Sequence, residues 1–196
     1  MTRAAPRRPS TSTSRPACGR SWTISPGLGH RRYWHLAADI DAWTFHVRGR
    51  ALAAAVAALP GGATLVRRTA PITVDGARAA ARAWLREAGR RPEFDRATAL
   101  LCDDDVMAAG AYKAARDIPG DLSITGFDDI LLAEALEPEL TTVRLPAEAL
   151  GERAMSALLE ILDKGRPRGL SLPGDLVVRA STAPPRAAAG ARAGRA

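Results

Sequence analysis

The sequence is poor in cysteine, lysine, histidine and aromatic residues. Its 196 residues include 2 cysteines, 3 histidines and 5% aromatic residues, and only Lys113 and Lys164 carry an ammonium group. Cys18 and Cys102 provide neither a disulfide framework nor a metal-ligand spacing, which indicates a reducing compartment. The histidines form no ligand-spaced set either, so we expect surface or structural roles for them. The sequence predicts no metal and no other cofactor.

The sequence also lacks a long apolar run. None reaches the length of a membrane span, and the first residues lack the apolar core of a signal peptide, so a cytoplasmic location is expected and no membrane partner. Ten of the 28 basic residues lie in residues 1–32 and 183–196, which contain no acid, so the body between them has 18 basic and 21 acidic residues. Arginine-rich ends of this composition are typical of solvated disorder. We therefore expect a disordered basic head over residues 1–28 and a disordered tail over residues 183–196.

Short apolar runs alternate with helix-like segments through the first two thirds of the body. Continuous apolar strands that alternate with helices predict a parallel sheet covered on both faces, which is a doubly wound α/β fold. In such sheets ligands bind beyond the carboxyl ends of the strands. The strands are expected at residues 33–40, 63–69, 98–102 and 122–126, and the helices at residues 44–59, 74–88 and 105–116.

The pattern changes after Pro138. Residues 140–145 form a short extended segment, and residues 172–181 are expected to be a final strand. Between them, residues 147–164 predict a long amphipathic helix. Its apolar stripe consists of Leu150, Ala154, Ala157, Leu158, Ile161 and Leu162.

Three linked motifs carry a family resemblance. Residues 104–110 read D-D-V-M-A-A-G, residues 118–129 read I-P-G-D-L-S-I-T-G-F-D-D, and residues 138–144 read P-E-L-T-T-V-R. They resemble the signature of the lactose-repressor/galactose-repressor (LacI/GalR) family of sugar-responsive transcription regulators. The family's own motifs are N-D-x-M-A-x-G, V-P-x-D-x-S-x-x-G-F-D-D and P-x-L-T-T-V-R. The resemblance implies a type I periplasmic-binding-protein-like lobe.

The resemblance also implies a domain arrangement. In this family a helix-turn-helix head and a hinge precede a two-lobed effector domain, and the L-G-H-R-R of residues 28–32 resembles the start of the second lobe. Residues 29–138 and 169–182 are then the effector-binding C-terminal lobe, and residues 139–168 are the crossover strand and helix of the N-terminal lobe. The sequence is therefore expected to be a truncated effector-binding portion that binds no operator by itself.

Four residues are implied to bind a small-molecule effector, which would be a sugar. Asp128, the first acid of the G-F-D-D motif, matches an effector-contacting position, although it could instead cap the following turn. Asp104 stands where the family has Asn. Asp105 matches the motif's own Asp, and a helix N-cap is an equal alternative. Arg48 matches the family's effector-contacting arginine, although Ala51 replaces the glycine that follows it.

The resemblance leaves departures and alternatives. Pro71 stands where the family places an aromatic wall residue. A homodimer is implied through four apolar residues that follow the G-F-D-D motif, namely Ile130, Leu131, Leu132 and Leu136. A stand-alone or exported sugar-binding protein is a second interpretation. A small α/β enzyme is the third: its carboxylates would be Asp103, Asp104 and Asp105, but no nucleophile, lysine or phosphate-binding loop accompanies them.

Overall fold

The structure, a computed structural model, describes residues 27–88, 97–167, 169 and 172–186. Its centre is a sheet of four parallel strands in the order β2-β1-β3-β4. All four strands lie within two residues of the bounds expected from the apolar runs. The strands are β1 (Arg32–Ala38), β2 (Thr64–Ala70), β3 (Ala99–Cys102) and β4 (Ser123–Thr125).

The helices between the strands also follow the sequence pattern. The helix expected over residues 74–88 has these bounds in the structure, because the Thr73 hydroxyl accepts a hydrogen bond from Gly76 N and so caps its first turn. The helix expected to reach residue 116 ends at Tyr112. A short helix at Leu131–Ala135 was not expected at all. The helices of the described residues are α1 (Trp43–Ala57), α2 (Val74–Ala88), α3 (Asp105–Tyr112), α4 (Leu131–Ala135) and α5 (Ala147–Leu162).

Helices cover both faces of the sheet, as the doubly wound fold requires. On one face Trp34 and Leu36 of β1 pack into a buried cluster with residues of α2 and α3. The rings of Trp34 and Trp84 stack there with centroids 4.9 Å apart. On the other face Tyr33 packs with Leu52 of α1. Each large apolar side chain buried in this way stabilises the fold by about 1.5–3 kcal/mol.

The segment after Pro138 joins the lobe through a second, smaller sheet. β5 (Thr142–Arg144) pairs with β6 (Asp175–Val177) in antiparallel fashion. Single parallel bridges connect Thr125 with Thr141 and Asp128 with Arg144, so β5 runs alongside the end of β4. The strand expected over residues 172–181 is thus limited to three residues.

Helix α5 is the exposed element of this fold. None of its residues is buried, and the side chains of Leu150, Leu158 and Ile161 are each about half exposed, at 52%, 49% and 55%. Within the part of the chain that the structure describes, its apolar stripe is therefore uncovered. The assignment of residues 139–168 to an N-terminal lobe stays a prediction.

The two ends of the body differ from the expected loose head and tail. Gly27 and Leu28 lie in a helical turn. The backbone carbonyl of Ala183 contacts His30 Nε2 at 3.0 Å and accepts a hydrogen bond from the Ser123 hydroxyl at 3.0 Å. Arg186 forms an ion pair with Asp117 at 2.8 Å. Residues 183–186 are therefore fixed by specific contacts, whereas residues 1–26 and 187–196 of the expected head and tail lie outside the described residues.

Candidate functional site

Three of the four predicted site residues meet at the carboxyl edge of the sheet. Arg48 extends from α1 toward the residues that follow β3 and β4. Its Nη1 donates a hydrogen bond of 2.8 Å to the backbone carbonyl of Asp103, and its Nη2 lies 3.7 Å from Asp128 Oδ1. Asp104 is close enough for the charge of Arg48 to act on its carboxyl group. We call Arg48, Asp104 and Asp128 the carboxyl-edge triad.

Aromatic rings fix the direction of the Arg48 side chain. Its guanidinium carbon lies 3.7 Å from the centre of the Phe127 ring and 5.2 Å from that of Phe45. A cation over an aromatic face at this distance is attracted by the negative charge of the ring face. Because only 11% of the Arg48 side chain is exposed, the interaction is poorly screened by solvent. The guanidinium is therefore held in place before any ligand arrives.

Asp104 is the N-cap of α3. Its backbone is extended, and its Oδ1 accepts a hydrogen bond of 2.7 Å from Met107 N. Burial raises the pKa of this carboxyl group, while the bond from Met107 and the charge of Arg48 act in the opposite direction. The capping role that the sequence left open for Asp105 thus belongs to Asp104.

Asp128 is the most accessible member of the carboxyl-edge triad, with 37% of its side chain exposed. Its backbone φ of 105° lies in a region that side chains with a Cβ rarely adopt. Burial raises the pKa of its carboxyl group, and Arg48 counteracts that shift. Strained backbone of this kind occurs at functional sites, where surrounding contacts hold it.

Asp105 points away from this edge, in contrast to the expectation of an effector contact. Its Oδ1 accepts a hydrogen bond of 2.6 Å from the Thr142 hydroxyl, and its Oδ2 accepts one of 2.9 Å from Ile130 N. The residue is 1% exposed. Burial raises its pKa to about 6. Both oxygens are engaged internally, so Asp105 fastens segments of the lobe together, and its role as an effector contact stays a prediction that these contacts do not favour.

The loop after β4 is anchored by a second acid, Asp129. It lies 2.7 Å from Arg179 Nη1 and 2.6 Å from Arg144 Nε. Burial by itself would raise the pKa of Asp129, but the hydrogen bonds and charges of Arg179 and Arg144 lower it overall. These ion pairs hold the Asp128–Asp129 corner against β5 and the segment after β6.

The sequence did not reveal a buried pair beneath the site. His35 Nε2 lies 2.9 Å from Asp103 Oδ1, and the two residues are 1% and 0% exposed. The available signals were a histidine within an apolar strand and Asp103, the first of the three acids that follow β3. Neither signal indicated a pair, because only the structure places β1 beside β3, with Leu36 opposite Cys102, so that the two side chains meet.

The three acids that the enzyme interpretation would use do not converge on one site. Asp103 and Asp105 face different partners, and no group of three or more potential metal-ligating side chains occurs among the residues that the structure covers. No helix in the described part of the chain has the length and apolar character of a membrane span. The geometry instead presents a braced guanidinium and carboxylate oxygens, which are groups that bind hydroxyls.

A separate depression lies on the face formed by α3 and α4. It has a volume of about 550 Å³ and is lined in part by Tyr112, Lys113, Leu132 and Leu136. It does not include any member of the carboxyl-edge triad. Two of the four apolar residues that the resemblance implies in dimerisation therefore line this depression.

The parallel sheet with charged side chains at its carboxyl edge is the architecture of a ligand-binding lobe. A family model described as a periplasmic binding protein-like domain matches residues 27–182. The chain belongs to this family. The match confirms the fold that the motifs implied.

Curated relatives and a solved structure agree with this assignment. The HTH-type transcriptional regulator MalR of Streptomyces coelicolor is 44% identical over 119 residues, which cover 57% of this chain and 32% of that protein. The lactose operon repressor of Rhizobium radiobacter is 37% identical over 97 residues, which cover 47% of this chain and 86% of that protein. The structure of a LacI family transcriptional regulator from Arthrobacter sp. FB24 in complex with lactose is 28% identical with a TM-score of 0.68, and the match covers 84% of this chain and 64% of that one.

These relatives are LacI-type regulators, so the family resemblance drawn from the motifs is confirmed. The chain spans about a third of the length of three Streptomyces regulators that it matches at more than 40% identity. The shared part is the effector-binding portion.

Proposed function

We propose that this chain is the effector-binding part of a LacI-type transcriptional regulator, and that it binds a sugar through Arg48, Asp104 and Asp128. The observation that carries the proposal is the placement of Arg48, held between the Asp103 carbonyl and the Asp128 carboxylate against the Phe127 ring. A fixed fork of donors beside carboxylate acceptors fits two neighbouring hydroxyls. The lactose complex of the Arthrobacter neighbour supports a sugar as the ligand class.

The affinity of the chain by itself is expected to be low. Two-lobed binders enclose a ligand between their lobes, and enclosure excludes the water that otherwise weakens polar contacts. The carboxyl-edge triad supplies contacts from one side only. We expect a dissociation constant of about 1 mM or weaker, which corresponds to roughly −4 kcal/mol.

Titration followed by two-dimensional amide NMR tests the proposal. Lactose and maltose are the probes, and we expect shifts at residues around Arg48 and Asp128. Asp128→Ala and Arg48→Ala should abolish them, whereas Arg67→Ala, which removes an exposed arginine from β2, should leave them unchanged. Shifts that persist in Asp128→Ala and Arg48→Ala would place the sugar elsewhere. Micromolar binding that Asp128→Ala abolishes would support the site and refute the low affinity expected above.

We also propose that the chain forms a homodimer through the face of α4. Ile130 and Leu131 are 43% and 87% exposed, and Leu132 and Leu136 line the adjoining depression. Apolar side chains exposed together mark an interaction surface. In analytical ultracentrifugation, Leu131→Glu should shift the chain toward monomer. Ile40→Glu, a change at an exposed apolar residue outside α4 and α5, is the matched control. Equal effects of the two changes would contradict a specific α4 interface.

We also propose that the chain is located in the cytoplasm and acts there as a binding protein. The support is that the curated relatives are HTH-type regulators, which act on DNA. Cell fractionation of the tagged chain should recover it with cytoplasmic markers. Recovery from the exported fraction would favour the stand-alone sugar-binding interpretation, and turnover of a sugar phosphate would favour an enzyme.

A further inference from the structure

The hydrogen-bond ladder between β1 and β3 stops at Asp103 in an unusual way. Asp103 N donates to the Leu36 carbonyl at 3.1 Å, as the parallel pattern requires. The next regular bond of that pattern would run from Ala38 N to the Asp103 backbone carbonyl. Instead, Ala38 N donates to Asp103 Oδ2 at 2.9 Å. The side chain of Asp103 thus takes the place of its own backbone carbonyl in the ladder.

Because the Asp103 side chain accepts the bond from Ala38 N, the Asp103 backbone carbonyl is left for another partner. The carbonyl accepts the 2.8 Å hydrogen bond from Arg48 Nη1. A hydrogen bond that includes a charged group is stronger than a neutral one, and a fixed acceptor also fixes the orientation of the donor. With Nη1 engaged here, Nη2 is left facing Asp128.

His35 holds the Asp103 carboxylate that replaces the backbone carbonyl in the ladder. Its Nε2 lies 2.9 Å from Asp103 Oδ1, so each carboxylate oxygen has a partner in a fully buried position. The ring of His35 lies beneath the helix that carries Arg48, because a Cβ at Gly49 would be only 3.6 Å from His35 Cε1. A chain of contacts therefore runs from His35 through Asp103 to Arg48.

We propose that Asp103, held by His35, is a positioning residue for Arg48. Stability by itself does not explain the pair, because replacement of a buried ionisable pair by apolar residues is often neutral or stabilising. The pair instead keeps one backbone carbonyl out of the ladder and available to the guanidinium. The consequence for sugar binding rests on the function proposed above, whereas the consequence for the Arg48 side chain does not.

A double variant, His35→Leu with Asp103→Ala, separates positioning from stability. Without the carboxylate, the Asp103 carbonyl should close the ladder with Ala38 N and leave Arg48. Asp103→Asn is the matched control, because the amide oxygen still accepts from Ala38 N and the amide nitrogen can donate to His35 in its other tautomer. Asp103→Ala is the second variant if the double variant does not fold.

The decisive measurement is the mobility of the Arg48 Nε–H group, from ¹⁵N NMR relaxation of the full chain without ligand. We expect a high order parameter for this group in the wild type and in Asp103→Asn, and one below about 0.6, the range of flexible groups, in the double variant. The thermal midpoint of the double variant should remain near that of the wild type. An Arg48 side chain that stays equally rigid in a folded variant without the carboxylate would overturn the proposal.

A lactose titration adds the functional arm. The double variant should bind at least about tenfold more weakly than the wild type, which corresponds to about 1.4 kcal/mol. Asp103→Asn should stay close to the wild type. If the wild type binds neither lactose nor maltose, the proposed function fails while the relaxation data still decide the role of Asp103. If the wild type binds and the double variant binds equally well, the positioning role fails while the function stands.

Discussion

The Thr142 hydroxyl donates a hydrogen bond of 2.6 Å to Asp105 Oδ1, and this contact fastens β5 to the first residue of α3. The other carboxylate oxygen accepts from Ile130 N, just before α4. One buried side chain therefore joins three segments that are far apart in sequence. Asp104 and Asp128 lie next to these segments, so Asp105 holds the geometry of the site without facing it.

Asp105 should give the stability of the lobe a measurable pH dependence. Burial raises its pKa from 3.8 to about 6 in the folded state. Since the folded state holds the proton more tightly, the contribution of this group is full below about pH 4 and is lost as the pH rises through about 6. Urea unfolding at pH 4 and pH 6.5 should show a decline that is about 1–3 kcal/mol smaller in Asp105→Asn than in the wild type.

The comparison isolates Asp105 because the other shifted carboxylates are present in both proteins. Asp104 and Asp128 also have raised pKa values, so they contribute a decline of the same sign. Parallel pH profiles of the wild type and Asp105→Asn would show that the carboxyl group titrates in the folded state as it does in the unfolded state.

Gly110→Ala should destabilise the lobe strongly. A Cβ at this position would overlap the Val74 carbonyl oxygen and lie 2.6 Å from Ala77 Cβ, so α2 and α3 could not keep their close contact. Overpacking against backbone costs about 1–3 kcal/mol. Gly151→Ala is the control, because no atom lies within 4 Å of its added Cβ and alanine favours a helix by about 0.5–1 kcal/mol. Chemical denaturation measures both changes, and a Gly110→Ala protein as stable as the wild type would refute the close packing.

Helix α5 should make the chain self-associate. Leu150, Leu158, Ile161 and Leu162 are all about half exposed or more, so each forgoes about half of the roughly 1.5–3 kcal/mol that full burial of such a side chain provides. Light scattering at tens of micromolar, about the range where exposed apolar surfaces associate, should show larger species for the wild type than for Leu158→Glu with Ile161→Glu. A wild type that is already monomeric would mean that another part of the molecule covers the stripe.

Specific DNA binding should be absent from this chain. Reading a base sequence requires an element that is presented into a groove, and residues 1–28 offer arginines without the apolar periodicity of a helix-turn-helix. Arginines of that kind provide counterion release only, so any binding should weaken steeply with salt. A sequence-specific footprint at about physiological ionic strength, where charges are screened beyond roughly 8 Å, would contradict this expectation.

The sheet was predictable from the sequence because each strand is built around a short apolar stretch, although β2 also contains Arg67 and Arg68. β1, β2, β3 and β4 are each followed by a polar or turn segment that ends the run, so their bounds could be placed within two residues. Helices α2 and α5 likewise show apolar residues on one face. The strand expected over residues 172–181 shrinks to β6, which has two exposed residues of three and no clear end in the sequence. Its antiparallel pairing with β5, which lies inside the expected extended segment 140–145, could be found only from the structure.

The sequence predicted that Arg48, Asp104 and Asp128 lie together but not what each acid of the neighbouring run contacts. Three consecutive acids follow β3, and their side chains diverge: Asp103 turns back to the strand ladder, Asp104 caps α3, and Asp105 faces the interior. Such divergence depends on where the neighbouring backbone groups lie. Three identical residues in a row do not show in the sequence which way each side chain turns, so Asp105 was predicted together with the other effector contacts.

The contact between His30 and the Ala183 carbonyl brings both ends of the folded body to one corner of the molecule. Ends that lie together can be joined by a short linker, and such proteins tolerate circular permutation when new ends are opened in an exposed turn. The exposed turn at Gly61 and Gly62, between α1 and β2, is a suitable opening. We expect a domain fused at either end of this folded body to emerge at the same corner, which would suit insertion of the lobe into another chain as a single unit.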